Sequence, residues 1–420
     1  MSYKHSYFDL LRLRNHIQHF AAIMLYPEFN EYAQFNERIS LLTSTQLLIL
    51  IERLLSTGKL DSCSFGVTGG STGRPKIIPN ALWRQEHKTQ YARALKSQIQ
   101  ENFLTKADVV ANLCSAGGFS LLYDGFNRLL EAIACSILPI GRIDTFSVNH
   151  QRQMLEWAKK LSVNTLIGTP SSILQLLNFA QKFNCHLRIE KIIFTGEPFS
   201  NAKRRYIHSF WQDAKIYGLY GHTETGFIGF NTPACPADAY HIFEDWFFIE
   251  NTPDHEIIVT SLADTLLPII RYKVGDRGRL LENPCICGRK LPLLLIQDRT
   301  DSQFNFSGNL IAKSVIAEVL SRICDEAVDF QIQIDTEANG TDILKLVLDI
   351  SPVDLQAITE QLMMQLLSIA MISECVDREV GKILLCSREE FVYTERQKLP
   401  AILDKRGIDM GIYSEKSKLR

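Results

Sequence analysis

Ten consecutive residues carry the groups that hold a phosphate: Val67-Thr68-Gly69-Gly70-Ser71-Thr72-Gly73-Arg74-Pro75-Lys76. Gly69, Gly70 and Gly73 let the backbone approach a ligand closely and take positive φ. The hydroxyls of Thr68, Ser71 and Thr72 and the backbone N–H groups can donate to anionic oxygens, while Arg74 and Lys76 add charge. The pattern G-x-x-x-x-G-K-[ST] cannot be laid on this stretch, because its lysine follows a proline. Read alone, the stretch also fits a mobile surface turn. A second cluster is Tyr220-Gly221-His222-Thr223-Glu224. Its aromatic ring could stack a base and its carboxylate could hold a metal-bound phosphate. A third is Asp276, which follows Gly275 at the end of an apolar run. A carboxylate so placed can accept both hydroxyls of a ribose.

A fourth cluster has a different chemistry. Cys235-x5-His241 and Cys285-x-Cys287 supply three thiols and an imidazole, the donor set of a tetrahedral zinc site. Four protein ligands would leave no open position, so such a zinc is expected to be structural. The C-x-C spacing is tighter than the commoner C-x2-C, and Pro284 and Gly288 flank it as a tight turn requires. The alternative is four unrelated reduced residues. The other cysteines of the ten have no ligand spacing and read as small core hydrophobes.

The elements that must position these groups alternate. Residues 3–57 read as helices with apolar stripes, expected to cover the core without chemistry. A short strand from Ser62 runs into the glycine-rich stretch, and Trp83 to Gln100 reads as a polar helix. Strands near Val109–Cys114 and Ser136–Ile140, a strand-to-loop step over Thr165–Pro170 and a strand ending in a glycine turn over Lys191–Glu197 alternate with helices near Ser120–Cys135, Gln153–Leu161 and Ile173–Phe183. That order predicts a mostly parallel sheet covered by helices, with ligands at the carboxyl ends of its strands. Phe119, Gly196 and Leu219 could then line an apolar slot for an acid, or simply pack. Strands at Ile257–Leu262 and Pro268–Asp276 suggest a β-rich subdomain. From Ser302 the units shorten into a compact α+β domain, with a hairpin at Asn339-Gly340 and a loose polar tail from Asp404. The fold class expected is α/β, with a large domain over residues 1–300 and a small, mobile one over 301–420.

Bulk properties exclude some partners. The chain has 420 residues, 46% hydrophobic and 22% charged, with a net charge of −2. Nothing in that balance points to nucleic acid or an anionic membrane, and no apolar run reaches a spanning length. A cytoplasmic enzyme is the expectation, with oligomeric state, homodimer included, left open.

The clusters and their order resemble one family. T-G-G-S-T-G-R-P-K resembles the phosphate loop of the acyl-adenylate-forming superfamily. Tyr220 to Glu224 matches its Y-G-x-T-E block, and Tyr272 to Asp276 matches Y-x-x-G-D. Arg299-x-Asp301 followed by six residues and Gly308 matches its hinge block. The short N-terminal part and the Cys285-x-Cys287 segment are similar to the phenylacetate-CoA ligase and CapK-type branch, some of whose members carry a zinc there.

The resemblance implies a two-step reaction: a carboxylic acid is activated by ATP as acyl-AMP, with release of pyrophosphate, and the acyl group passes to a thiol. It implies that Thr68, Gly69, Ser71, Thr72, Gly73 and Lys76 hold the β- and γ-phosphates and that Tyr220 stacks on adenine. Thr223 would contact the α-phosphate and Glu224 would hold Mg²⁺. Asp276 and Arg299 would bind the ribose, Asp301 would be the hinge pivot, and Lys398 would neutralise the reacting groups. The acceptor would be coenzyme A or the phosphopantetheine arm of an acyl carrier protein. Transfer to an amine, or nucleotide binding without turnover, are alternatives. Three positions depart from the family pattern: Asp298 and Ser307 at the hinge, and Gln397 before the lysine.

Overall fold

A computed structural model describes residues 10–19, 26–57, 63–67, 76–81, 90–117, 119–263, 266–281, 284–299, 303–324, 328–392 and 401–406. The chain divides into two compact units. One joins Met1–Gly196 to Ala214–Thr300, and the other joins Glu197–Asp213 to Asp301–Arg420.

The first unit opens with α1 (Leu10–His19), α2 (Tyr32–Arg38) and α3 (Ser44–Ser56). Thr43 caps α3 reciprocally with Gln46, which fixes where the helix starts. Leu47, Leu50, Ile51 and Leu54 form its buried stripe. The hairpin β1 (Cys63–Val67) and β2 (Ile77–Ala81) follows, then α4 (Gln90–Asn102). The alternating region comprises β3 (Val109–Asn112), α5 (Leu121–Ile133), β4 (Ser136–Leu138), α6 (Val148–Lys160), β5 (Thr165–Gly168), α7 (Pro170–Lys182) and β6 (Lys191–Phe194). After α8 (Asn201–His208), the chain returns to this unit with β7 (Lys215–His222), β8 (Gly226–Asn231), β9 (Ala239–Ile242), β10 (Phe247–Asn251), β11 (Glu256–Ser261), β12 (Tyr272–Leu281) and β13 (Leu293–Arg299).

Among the described residues, eleven of these strands form one sheet in the order β10-β11-β12-β13-β9-β8-β7-β6-β5-β3-β4. The half from β7 to β4 is parallel, and the half from β7 to β10 is antiparallel. The expected parallel sheet and β-rich subdomain are therefore two halves of one surface, with β7 as the strand where direction changes. All four residues of β5 are buried, as a strand covered on both faces requires.

The predicted strand from Pro268 starts later, at Tyr272, because Arg271 takes φ +51° and breaks the extended run. The buried Arg271 guanidinium bonds Glu250 and the backbone oxygens of Asn36 and Ile39, which holds that unusual backbone in place.

The second unit contains α8, the hairpin β14 (Gln303–Phe306) and β15 (Asn309–Ala312), α9 (Lys313–Ile323), β16 (Phe330–Thr336), β17 (Asp342–Leu348), α10 (Pro352–Leu367), α11 (Ala370–Asp377), β18 (Gly381–Cys386) and β19 (Ile402–Asp404). Its four-stranded sheet runs β18-β17-β16-β19. The predicted hairpin at Gly340 joins β16 to β17. Residues 401–406 differ from the loose tail expected from Asp404: β19 pairs with β16, and Arg406 is buried on Asp342, Asp404 and the backbone oxygen of Asn305. The expected boundary at residue 300 also left 197–213 in the large domain. Those residues group with the small unit, where Lys203 on α8 buries its Nζ 3.0 Å from Asp342 Oδ1. No single described helix is long and apolar enough to cross a membrane.

Burial alone would raise the Asp342 carboxyl, but Lys203 and Arg406 outweigh it and hold it below its ordinary 3.8. Asp342→Ala removes the buried carboxylate that Lys203 and Arg406 share, leaving Arg406 with Asp404, and is expected to cost the small unit about 3 kcal/mol. Hydrogen exchange across β16 to β18 reads this directly, and wild-type protection in the variant would contradict the role given to the cluster.

Candidate active site

Lys76 stands immediately before β2 and is buried. Its Nζ lies 2.7 Å from Glu224 Oε1 and donates to Ser44 Oγ at 2.9 Å and to Tyr272 Oη at 3.2 Å. Tyr272 Oη in turn donates to Glu224 Oε1 at 3.1 Å. Four segments distant in sequence thus meet around one ammonium group. Ser44 is the contributor that reading the sequence missed, since the N-terminal helices were expected to carry no chemistry. Leu42, just before α3, brackets Tyr272: its N–H donates to Arg271 O, and its carbonyl accepts from Lys273 N–H. The capping residue Thr43 was the available signal, because a fixed helix start also fixes the side chain next to it.

Tyr220 and His222 end β7, and Glu224 lies in the turn to β8. Gly221 must be glycine: a Cβ there would sit 2.2 Å from Gly226 O. Tyr220 Oη donates to Asp276 Oδ2 at 2.8 Å, and His222 Nε2 lies 3.1 Å from Tyr220 Oη and 3.2 Å from Asp276 Oδ2. Gly275 takes φ +86° where β12 shifts register against β11, an irregularity next to Asp276 that glycine accommodates without strain. Arg299 lies opposite Asp276 in the β12–β13 register. The structure therefore joins Lys76 to Glu224 and Tyr220 to Asp276, and β12 carries a member of each pair's cluster, Tyr272 and Asp276. Thr68, Gly69, Ser71, Thr72, Gly73, Asp301 and Lys398 lie outside the described residues.

The three residues expected to line an acid slot differ in setting. Leu219 is buried in the main core opposite Phe230. Phe119 is exposed with φ +60°, and Gly196 follows β6 with φ +81°.

Cys235, His241, Cys285 and Cys287 converge, their ligand atoms all within 4.8 Å of one another. His241 belongs to β9 and faces Leu293 of β13, while the two-cysteine knuckle directly precedes β13. Gly288 turns the knuckle with φ +80°, and its N–H donates to Cys285 O. His241 Nδ1 is 3.3 Å from Leu291 O, a carbonyl that can only accept, so Nδ1 carries the proton and Nε2 is left to face the thiols. Burial pushes the Cys285 thiol up. At Cys287 burial acts the same way, but hydrogen bonding from the Arg289 backbone and from its neighbours outweighs it and lowers the thiol. Three sulfurs and one imidazole nitrogen around one point fit a tetrahedral metal ion.

No protein-family model matches the chain. It is 26% identical over 379 residues to indoleacetate–lysine synthetase of Pseudomonas savastanoi, covering 89% of this chain and 92% of that protein. It is 22% identical to phenylacetate-coenzyme A ligase of Aromatoleum evansii over 302 residues, 68% of this chain and 65% of the ligase. Its fold is that of 2-hydroxyisobutyryl-CoA ligase in the thioesterification state, with a TM-score of 0.63, 18% identity, and coverage of 94% of this chain and 88% of that one. The chain is thus similar in sequence to acid-activating ligases, phenylacetate-coenzyme A ligase among them, and shares the fold of an acyl-CoA ligase. Two of the blocks that carry the resemblance, Tyr220 to Glu224 and Tyr272 to Asp276, together with Lys76 of a third, supply the residues bonded in these clusters.

Burial alone would raise the Glu224 carboxyl, but the charges of Lys76 and His222 and the Lys76 hydrogen bond hold it below its ordinary 4.5. Its contribution to stability is fully present above that value and is lost as pH falls through the lower folded one. Lys76→Met leaves the carboxylate buried without its cation, at a cost of about 3 kcal/mol near neutral pH. The difference in melting temperature between wild type and variant narrows as pH falls below 4.5; an unchanged difference in acid would contradict the pairing.

Proposed function

We propose that the chain activates a small carboxylic acid with ATP. A carboxylate oxygen attacks the α-phosphorus, the bond to pyrophosphate breaks, and acyl-AMP forms. The observation that best supports this reading is the linkage of Lys76 and Glu224 to Tyr272, on the same strand as Asp276. A cation and a carboxylate suited to phosphate and Mg²⁺ are thereby joined to a ring and a carboxylate suited to adenine and ribose. Mg²⁺, when bound, would supply the charge that offsets the phosphates. Lys76 and the loop hydroxyls would hold the β- and γ-phosphates, Thr223 the α-phosphate, and Lys398 would neutralise the attacking carboxylate. Such chemistry needs positioning and charge compensation more than covalent help from the protein.

The acyl carbon is then attacked by an acceptor, the bond to AMP breaks, and the acceptor loses a proton. One reading gives the acyl group to the thiol of coenzyme A or of a carrier protein's phosphopantetheine, as the similarity to phenylacetate-CoA ligase suggests. The amine reading takes precedence, because the relative matched over 92% of its length is named for an acid and lysine. Asp298 and Ser307, which depart from the family's hinge block, also weigh against the thioester-forming step.

ATP–pyrophosphate exchange across aryl and aliphatic acids tests the first step: exchange with at least one acid is expected, and none with any would overturn the proposal. With that acid, trapping with coenzyme A and separately with lysine tells the acceptors apart; thioester without amide would overturn the amine reading. We further propose that the three cysteines and His241 hold a structural Zn²⁺. Metal analysis is expected to find about one zinc per chain, and chelation is expected to lower the melting temperature; metal-free protein with unchanged stability would contradict it.

A further inference from the structure

His222 occupies the variable position of the Y-G-x-T-E block and has no role in the reading above. Its ring is half-buried at the end of β7, edge-on to Tyr220 with centroids 5.3 Å apart. The hydrogen-bond inventory settles which atom donates. Tyr220 has one hydroxyl proton, and it goes to Asp276 Oδ2. A carboxylate has none to give. His222 Nε2, within 3.2 Å of both oxygens, must therefore carry a proton and donate. A bare nitrogen lone pair facing those two oxygens would be repelled.

We infer that His222 is a positioning residue for the nucleoside half of the nucleotide: its Nε2–H fixes the Tyr220 hydroxyl and the Asp276 carboxylate together. The inference rests on the proposed nucleotide site. The arrangement divides the site into two hydrogen-bonded sets. Lys76, Ser44, Tyr272 and Glu224 form one, fitted to phosphate and metal. Tyr220, His222 and Asp276 form the other, fitted to base and ribose. Among the described residues, the hydrogen bonds of the His222 ring run to the second set, while its effect on Glu224 in the first is through charge alone. Without it, the Tyr220 hydroxyl and the Asp276 carboxylate lose a shared donor, while the hydrogen bonds within the Lys76 cluster stay in place.

Glutamine and asparagine separate the hydrogen bond from mere bulk. A glutamine amide nitrogen reaches about as far as histidine Nε2, whereas an asparagine amide stops near Nδ1. Calorimetric titration of AMP into wild type, His222→Leu, His222→Gln and His222→Asn is the test. Losing one donor to a charged group is expected to weaken AMP binding by roughly tenfold or more in His222→Leu and His222→Asn, with His222→Gln restored to near the wild-type value. In the exchange assay KM for ATP rises in His222→Leu and KM for pyrophosphate does not. Equal AMP affinity in wild type and His222→Leu overturns the inference alone. So does a His222→Gln protein as weak as His222→Leu, or a pyrophosphate KM that rises as much as that for ATP. Wild-type protein that binds no AMP overturns the nucleotide site itself, and this inference with it.

Discussion

A buried ammonium group must find acceptors, and Lys76 finds them on three separate parts of the chain. Ser44 comes from the N-terminal helices, Glu224 from the turn after the strand where the sheet changes direction, and Tyr272 from β12. None of the three could move far without leaving a charge unpaired in the interior, which is among the costliest faults a core can hold. This single side chain therefore constrains the relative placement of α3, β7 and β12. Arg271 adds to it from the other side of Tyr272. Its strained backbone and its bonds to Glu250, Asn36 and Ile39 fix the point where β12 begins.

The cysteine and histidine cluster acts on the neighbouring strands. β13 lies between β12 and β9, and the four ligands sit on β9, just before it, and in the knuckle leading into β13. An ion bound there would tie β9 to the start of β13. The far end of β13 carries Arg299, whose backbone faces Asp276. A group far from any reacting atom would thus help set the register of the strand opposite Asp276, the carboxylate proposed to hold the ribose.

Much of this was legible in the sequence, and the reasons are specific. Gly221 and Gly275 mark places where a Cβ or an ordinary φ is excluded, so the motifs around Tyr220 and Asp276 announce themselves. The alternation of apolar runs and amphipathic helices marks the parallel half of the sheet, and the Cys235–His241 and Cys285–Cys287 pairs converge as their donor chemistry suggests. What stayed hidden depends on contacts distant in sequence. Ser44 is an ordinary hydroxyl until Lys76 arrives from thirty-two positions away. α8 meets the small unit through a buried lysine, which reads in sequence as a surface cation. Arg406 looks like part of a polar tail, yet it pairs inside the fold with Asp342. Buried charges defeat sequence reading because composition alone gives no sign of their partners.

The central claim is that the Lys76 cluster and the Asp276 cluster grip the two ends of one nucleotide. Hydrogen exchange with and without Mg·ATP measures this on the unaltered protein. Exchange is expected to slow in both Tyr220–Glu224 and Tyr272–Asp276 when the nucleotide is present. Protection of neither segment, or of only one, would contradict it.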